Sequence, residues 1–163
     1  MNMSWKTRAW IVFLLLGVAS GCARQSENAE KPTGPFSPGR YDDRDPRVEY
    51  KGAWWKDQQF PESSSQSITY SETKGDAFRI AFTGSAITYV FTQAANRGIA
   101  EVKIDGASKD RINQYSAQTQ WQTKRLYGGL TPGAHTLEVV VSGDKDPQSA
   151  GIFVDLDALQ VEP

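Results

Sequence analysis

The chain has 163 residues, with 18 Lys and Arg, 19 Asp and Glu, one His and a formal net charge of −1. That length holds one domain plus extra segments, and the balanced charge excludes a nucleic-acid binder driven by bulk electrostatics. The single cysteine excludes an intrachain disulfide and a cysteine-based zinc cluster, and the single histidine removes most nucleophile–base pairs, so the expectation from composition is a protein that is not an enzyme.

Residues 1–21 carry Lys6 and Arg8 and then no charge, with an apolar run over 10–19. A basic start followed by a short apolar stretch is an export-signal pattern, and it is shorter than the ~20 apolar residues that span a bilayer. Ala19-Ser20-Gly21-Cys22 follows, which resembles the bacterial lipobox, with Ala19 standing where Leu is usual. The resemblance implies cleavage before Cys22, lipidation of that cysteine and a membrane as one partner. Ala23, in place of Asp, implies sorting to the outer membrane in a cell that has two. Loss of residues 1–21 removes two cations and leaves a net charge of −3. Residues 22–46 hold prolines at 32, 35, 38 and 46 and almost nothing aliphatic. Such a segment buries too little apolar surface to order itself and reads as a flexible tether, ~25–30 Å long on average.

From residue 47 to 163 the pattern changes to alternation. Phe78, Ile80 and Phe82 form one run; Ile87, Tyr89 and Phe91 a second; Ala100, Val102 and Ile104 a third. His135, Leu137, Val139 and Val141 form a fourth, and Ile152, Val154 and Leu156 a fifth. Period-2 runs with one apolar face are strands, and Asp105-Gly106, Pro132-Gly133 and similar pairs punctuate them. With eight or nine strands and no helical stripe, the expected fold is all-β, a two-sheet antiparallel β-sandwich with jelly-roll connections. Tyr50 and Trp54 are assigned to its core, and His135 to a hydrogen-bonded structural role. Asp155 and Asp157 either cap loops or hold a structural calcium ion, which takes oxygen ligands; no EF-hand-like spacing is present, and no cofactor is indicated.

Five stretches carry a resemblance. They are Val48 to Trp54, Ala77 to Ile87, Gly98 to Gly106, Leu130 to Leu137 and Val154 to Leu159. In that order they resemble the galactose-binding-like jelly rolls that occur as carbohydrate-binding modules. The resemblance implies a sandwich with a glycan ligand.

A sugar site needs an aromatic face for the ring and a few fixed polar groups for its hydroxyls. The candidates outside the expected core are Trp55, Trp121 and Tyr115, with Asn96 and Arg97 as polar partners and Gln93 or Asn113 beside them. Adjacent strand residues face opposite ways, so Trp54 inside places Trp55 outside. The competing reading has Trp121 covering a sandwich edge and Trp55 packing on a loop. No nucleophile elbow is present, and Glu72, Glu101 and Glu138 sit on outward strand positions rather than across a cleft. Two functions remain open, a membrane-anchored module that binds envelope or polymeric glycan without catalysis, and a protein-interaction or envelope-assembly module. Aromatics converging on one groove favour the first; a flat apolar patch favours the second.

Overall fold

The computed structural model describes residues 32–163. The export signal, Cys22 and the first part of the tether lie outside the described residues. Among the described residues there are twelve strands and one 3-10 turn, Ser64–Gln66. In chain order the strands are β1 (Gly39–Asp42), β2 (Glu49–Lys51), β3 (Trp55–Asp57), β4 (Ile68–Ser71), β5 (Ala77–Gly84) and β6 (Ala86–Gln93). They continue with β7 (Ile99–Ile104), β8 (Ala107–Asn113), β9 (Gln120–Tyr127), β10 (Gly133–Val141), β11 (Val154–Leu156) and β12 (Ala158–Glu162).

Every strand pairing is antiparallel. One sheet runs β2-β5-β10-β7-β8 and a second β1-β12-β6-β9; β11-β4-β3 form a small third sheet. The protein is all-β, as the alternation implied. Phe78, Ile80 and Phe82 of β5, with Leu137, Val139 and Val141 of β10, turn one face of the first sheet inward. Ile87, Tyr89 and Phe91 of β6, with Leu159 and Val161 of β12, meet them from the second. The second half of β6 is buried on both faces, so Val90 and Thr92 break the alternation there.

Local chemistry explains the connections. Asp105 and Gly106 both take positive φ, 52° and 79°, between β7 and β8. That is the primed two-residue hairpin turn, which matches the twist of its strands. Asp105 then accepts from Thr136 N at 2.7 Å and faces His135 Nδ1 at 2.7 Å, while His135 Nε2 lies 2.7 Å from Thr131 O. Both ring nitrogens face acceptors, and the Thr131 carbonyl and then Asp105 hold the imidazole pKa above its usual value. His135 braces a turn. The edge strands β8 and β9 carry Lys109, Arg111, Lys124 and Arg125, and each pairing has a break in register. Charge and bulges blunt an edge against further pairing.

The tether expected over 22–46 is corrected from residue 36 onward. Phe36 is fully buried, its N donates to Ala81 O at 2.8 Å and its O accepts from Thr83 N at 2.8 Å. Tyr41 packs edge-on against it at 4.6 Å and the Arg47 guanidinium covers it at 4.1 Å. β1 then pairs with β12 from Gly39 to Asp42. Backbone pairing needs no aliphatic side chains, so composition concealed this strand. The sandwich thus begins before residue 47, and its first strand comes in beside its last. Ser85 N donates to Glu162 O at 3.1 Å near the same end.

Asp43, fully buried just past β1, ties this strand to β4. It accepts from Ser67 Oγ at 2.7 Å and Thr69 Oγ1 at 2.6 Å. Burial pushes its carboxyl up to about 7, against the pull of those hydroxyls and with a further push from Asp42. Tyr50 and Trp54 pack partly buried on the core, 5.2 Å apart, and Tyr50 OH donates to Asp43 O at 2.6 Å.

Two measurements check these assignments. Phe36→Ala removes a buried ring and is expected to cost about 3–5 kcal/mol in urea unfolding, and a chain starting at residue 47 is expected to show no cooperative transition; an unchanged midpoint would return Phe36 to the tether. Because the folded Asp43 binds its proton more tightly than the unfolded carboxyl, its contribution is full below about pH 4 and lost as pH rises through about 7. The unfolding midpoint should therefore fall over that window in wild type, with a flatter fall in Asp43→Asn.

Candidate functional site

Three loops meet at one end of the sandwich, namely residues 94–98 after β6, 114–119 between β8 and β9, and 142–153 between β10 and β11. Their backbones lock one another. Ala94 N donates to Gln114 O at 3.2 Å and Gln114 N to Gly98 O at 3.0 Å; Ala150 N donates to Ala95 O and Gly98 N to Phe153 O, both at 2.8 Å. Ser149 Oγ adds a bond to Arg97 O at 2.7 Å. A side chain at position 98 would sit 2.6 Å from Ile152 O, so this approach requires glycine.

Between these loops and the small third sheet lies a cleft of about 350 Å³. Four aromatic side chains line it, each half-buried, from four different segments: Phe60, Tyr70, Trp121 and Phe153. Trp121 packs on Phe60 at 5.5 Å and Tyr70 meets Phe153 edge-on at 5.8 Å. A bulge aims Trp121: between the pairs Phe91↔Thr123 and Gln93↔Gln120, Trp121 and Gln122 stand opposite Thr92 alone. Gln122 takes φ 52° and is held by its side-chain N donating to Glu62 O at 2.9 Å. Bulges commonly redirect a side chain in this way.

Asn96 and Arg97 complete the lining. Asn96 is exposed, but Arg97 is 7% exposed, far more buried than a loop arginine would be. Its guanidinium pairs with fully buried Asp155 at 3.5 Å and donates from Nη1 to Asn96 Oδ1 at 3.2 Å. Both Asp155 oxygens accept from Thr92 N at 3.2 Å. Burial pushes the Asp155 carboxyl up, while Arg97 and the Thr92 amide pull it back. Arg97 Nε and Thr92 Oγ1 are buried without a partner.

The structure thus brings Asn96, Arg97 and Trp121 into one cleft. Trp55 stands 46% exposed beside it, stacked on Tyr70 at 5.7 Å and 30°. Tyr115 does not line the cleft. Its backbone bridges Ala94 and its OH bonds Gln148 Oε1 at 3.1 Å, so it braces the loops. Asn113 braces as well, through Asp146 at 2.9 Å. Phe60, Tyr70 and Phe153 were missed. Tyr70 and Phe153 show in the sequence only as aromatics at outward registers, which the edges of any sheet also offer, and Phe60 only as an aromatic in a loop. Asp155 is engaged by Arg97 and Thr92, whereas Asp157 accepts from Ser64 N at 2.8 Å and is pushed up to about 6 by burial. Among the described residues no group of three or more His, Cys, Asp or Glu side chains is placed to hold a metal ion.

No protein-family model matches the chain. Over 101 residues, 61% of its length, it is 32% identical to a protein of Flavonifractor plautii named as an A type blood N-acetyl-alpha-D-galactosamine deacetylase, of which it covers 13%. Over 113 residues, 68% of its length, it is 27% identical to that organism's A type blood alpha-D-galactosamine galactosaminidase, of which it covers 10%. The chain therefore spans about a tenth of the curated relatives it matches. Among solved structures it resembles a Paenibacillus xanthan lyase, with a TM-score of 0.56 and 14% identity over 81% of this chain and 14% of that one. It also resembles a two-domain esterase active on acetylated mannans, with a TM-score of 0.58 and 16% identity over 86% and 42% of the two chains. At such identities the likeness is one of fold, a β-sandwich found in carbohydrate-active enzymes.

These findings overturn the expectation that the chain is not an enzyme. Both curated relatives are named as enzymes, and so are the structural neighbours. That expectation counted catalytic residue types within 163 residues, and such a count does not reach the much longer chains that carry similar segments.

Proposed function

We propose that this β-sandwich binds carbohydrate in the cleft bounded by Phe60, Tyr70, Trp121 and Phe153. The observation that carries the reading is convergence. Aromatic side chains from separate elements meet Asn96 and Arg97 in one hollow, which supplies both the apolar face and the fixed polar groups that a sugar ring requires. The volume falls within the ~300–1000 Å³ of small-ligand sites. Among the described residues the exposed large hydrophobics are Trp55 and Leu126, on different sheets. A protein-docking surface would call for a contiguous patch instead.

The names of the curated relatives make N-acetylgalactosamine and galactosamine the first sugars to try. The galactose-binding-like jelly-roll assignment, export, lipidation at Cys22 and an outer-membrane location in a two-membrane cell belong to the same proposal and rest on the sequence. Expression with its native leader, followed by membrane fractionation of wild type and Cys22→Ala, tests the anchor.

For the site, the chain is titrated calorimetrically with N-acetyl-D-galactosamine, D-galactosamine, D-galactose and a mannan. Saturable binding is expected for at least one. Trp121→Ala should weaken it about 3- to 10-fold, from the loss of a stacked aromatic; Leu126→Ala should leave it unchanged. A folded chain that binds none of them refutes the reading.

A further inference from the structure

Asn96 differs from an ordinary loop amide in being gripped. An arginine can only donate, so the Asn96 atom 3.2 Å from Arg97 Nη1 must be the carbonyl oxygen. That assignment turns the NH2 group away from Arg97, and Asn96 itself lines the cleft. Arg97 in turn has little freedom. It is 7% exposed, paired with Asp155, and its own carbonyl is bonded by Ser149. Asp155 is fully buried and fixed by Thr92 N. The order of restraint runs from a buried carboxylate, through a buried guanidinium, to an exposed amide.

We propose that Arg97 is a positioning residue that locks Asn96 with its NH2 edge toward the ligand, so that the cleft reads a hydrogen-bond acceptor on the sugar and disfavours an ammonium group there. The inference rests on the carbohydrate reading and narrows it. An acetamido carbonyl or a hydroxyl oxygen accepts from the Asn96 amide. A protonated amino group at that position brings donors alone, and it meets a donor edge that can offer it no acceptor. The neutral N-acetylated hexosamine is therefore favoured over its deacetylated, charged counterpart.

The test titrates the chain at pH 6 with N-acetyl-D-galactosamine and with D-galactosamine. Wild type is expected to prefer the acetylated sugar by about tenfold. Asn96→Asp, which leaves the Arg97–Asp155 pair in place, should reverse or abolish that preference, because a carboxylate accepts from an ammonium. Arg97→Lys and Asn96→Ala should each weaken N-acetyl-D-galactosamine binding about fivefold, the order of one hydrogen bond. If Arg97 acts through Asn96, the double variant loses no more than either single one. Equal binding of the two sugars by wild type, or losses that multiply in the double variant, would overturn the proposal. Should neither sugar bind and Trp121→Ala change nothing with any glycan, the carbohydrate reading fails separately. The lock is then judged by side-chain NMR order parameters. An Asn96 amide more rigid than that of exposed Gln118, and loosened in Arg97→Lys, keeps it; equal mobility removes it.

Discussion

One carboxylate ties two of the sheets to the loop that enters the third. Asp155 belongs to β11 of the small sheet, accepts from Thr92 in β6 of the second sheet, and pairs with Arg97 in the loop that leads into β7 of the first. Its carbonyl also takes the hydroxyl of Tyr89, a ring at the centre of the core. Removing one member of a buried ion pair is costly, about 3–5 kcal/mol in general, because the other is left without compensation. The cost works here as a constraint. The loops at this end hold the arrangement that keeps Asp155 satisfied, and the cleft inherits their rigidity.

How much of this was legible follows the physics of each element. β5, β7 and β10 announce themselves because one face is dry and the other wet, so their alternation is sharp. β1, β8 and β9 are polar edge strands, held by backbone bonds to which side-chain pattern is blind. Phe36, the single phenylalanine of its segment, lies between Pro35 and Ser37, and composition alone files it with the tether. At the cleft, Asn96 and Arg97 stood out as polar residues in a turn, and Trp121 as a tryptophan without an apolar register. Tyr70 and Phe153 meet through the β11-β4 pairing and Phe60 joins from the loop between β3 and β4, an arrangement that no local pattern encodes. The same holds for Arg97, whose partner Asp155 is far along the chain. Tyr115 looked like a binding aromatic and is a brace, because its orientation is settled by the loop it bridges.

Glycine and charge divide the work of specifying the sandwich. The Asp105-Gly106 turn sets the β7–β8 register, and His135 and Thr136 from the neighbouring strand fasten it. At the opposite end, Gly98 permits a backbone approach that any side chain would block. Buried polar groups such as Asp43 and Asp155 then select among the pairings that the apolar core alone would tolerate. In both cases the hydrogen-bond partners come from a different strand.

The first and last strands run side by side, with Gly39 opposite Val161 and Ala86 opposite Glu162. The cleft lies past Gln93, at the far end of β6, eight residues and about 25 Å away. Gly39 and Glu162 thus lie at one pole while the cleft opens at the other. Such a unit behaves like a bead with both holes drilled on the same side. Attachment through that pole would leave the mouth of the cleft clear of the string.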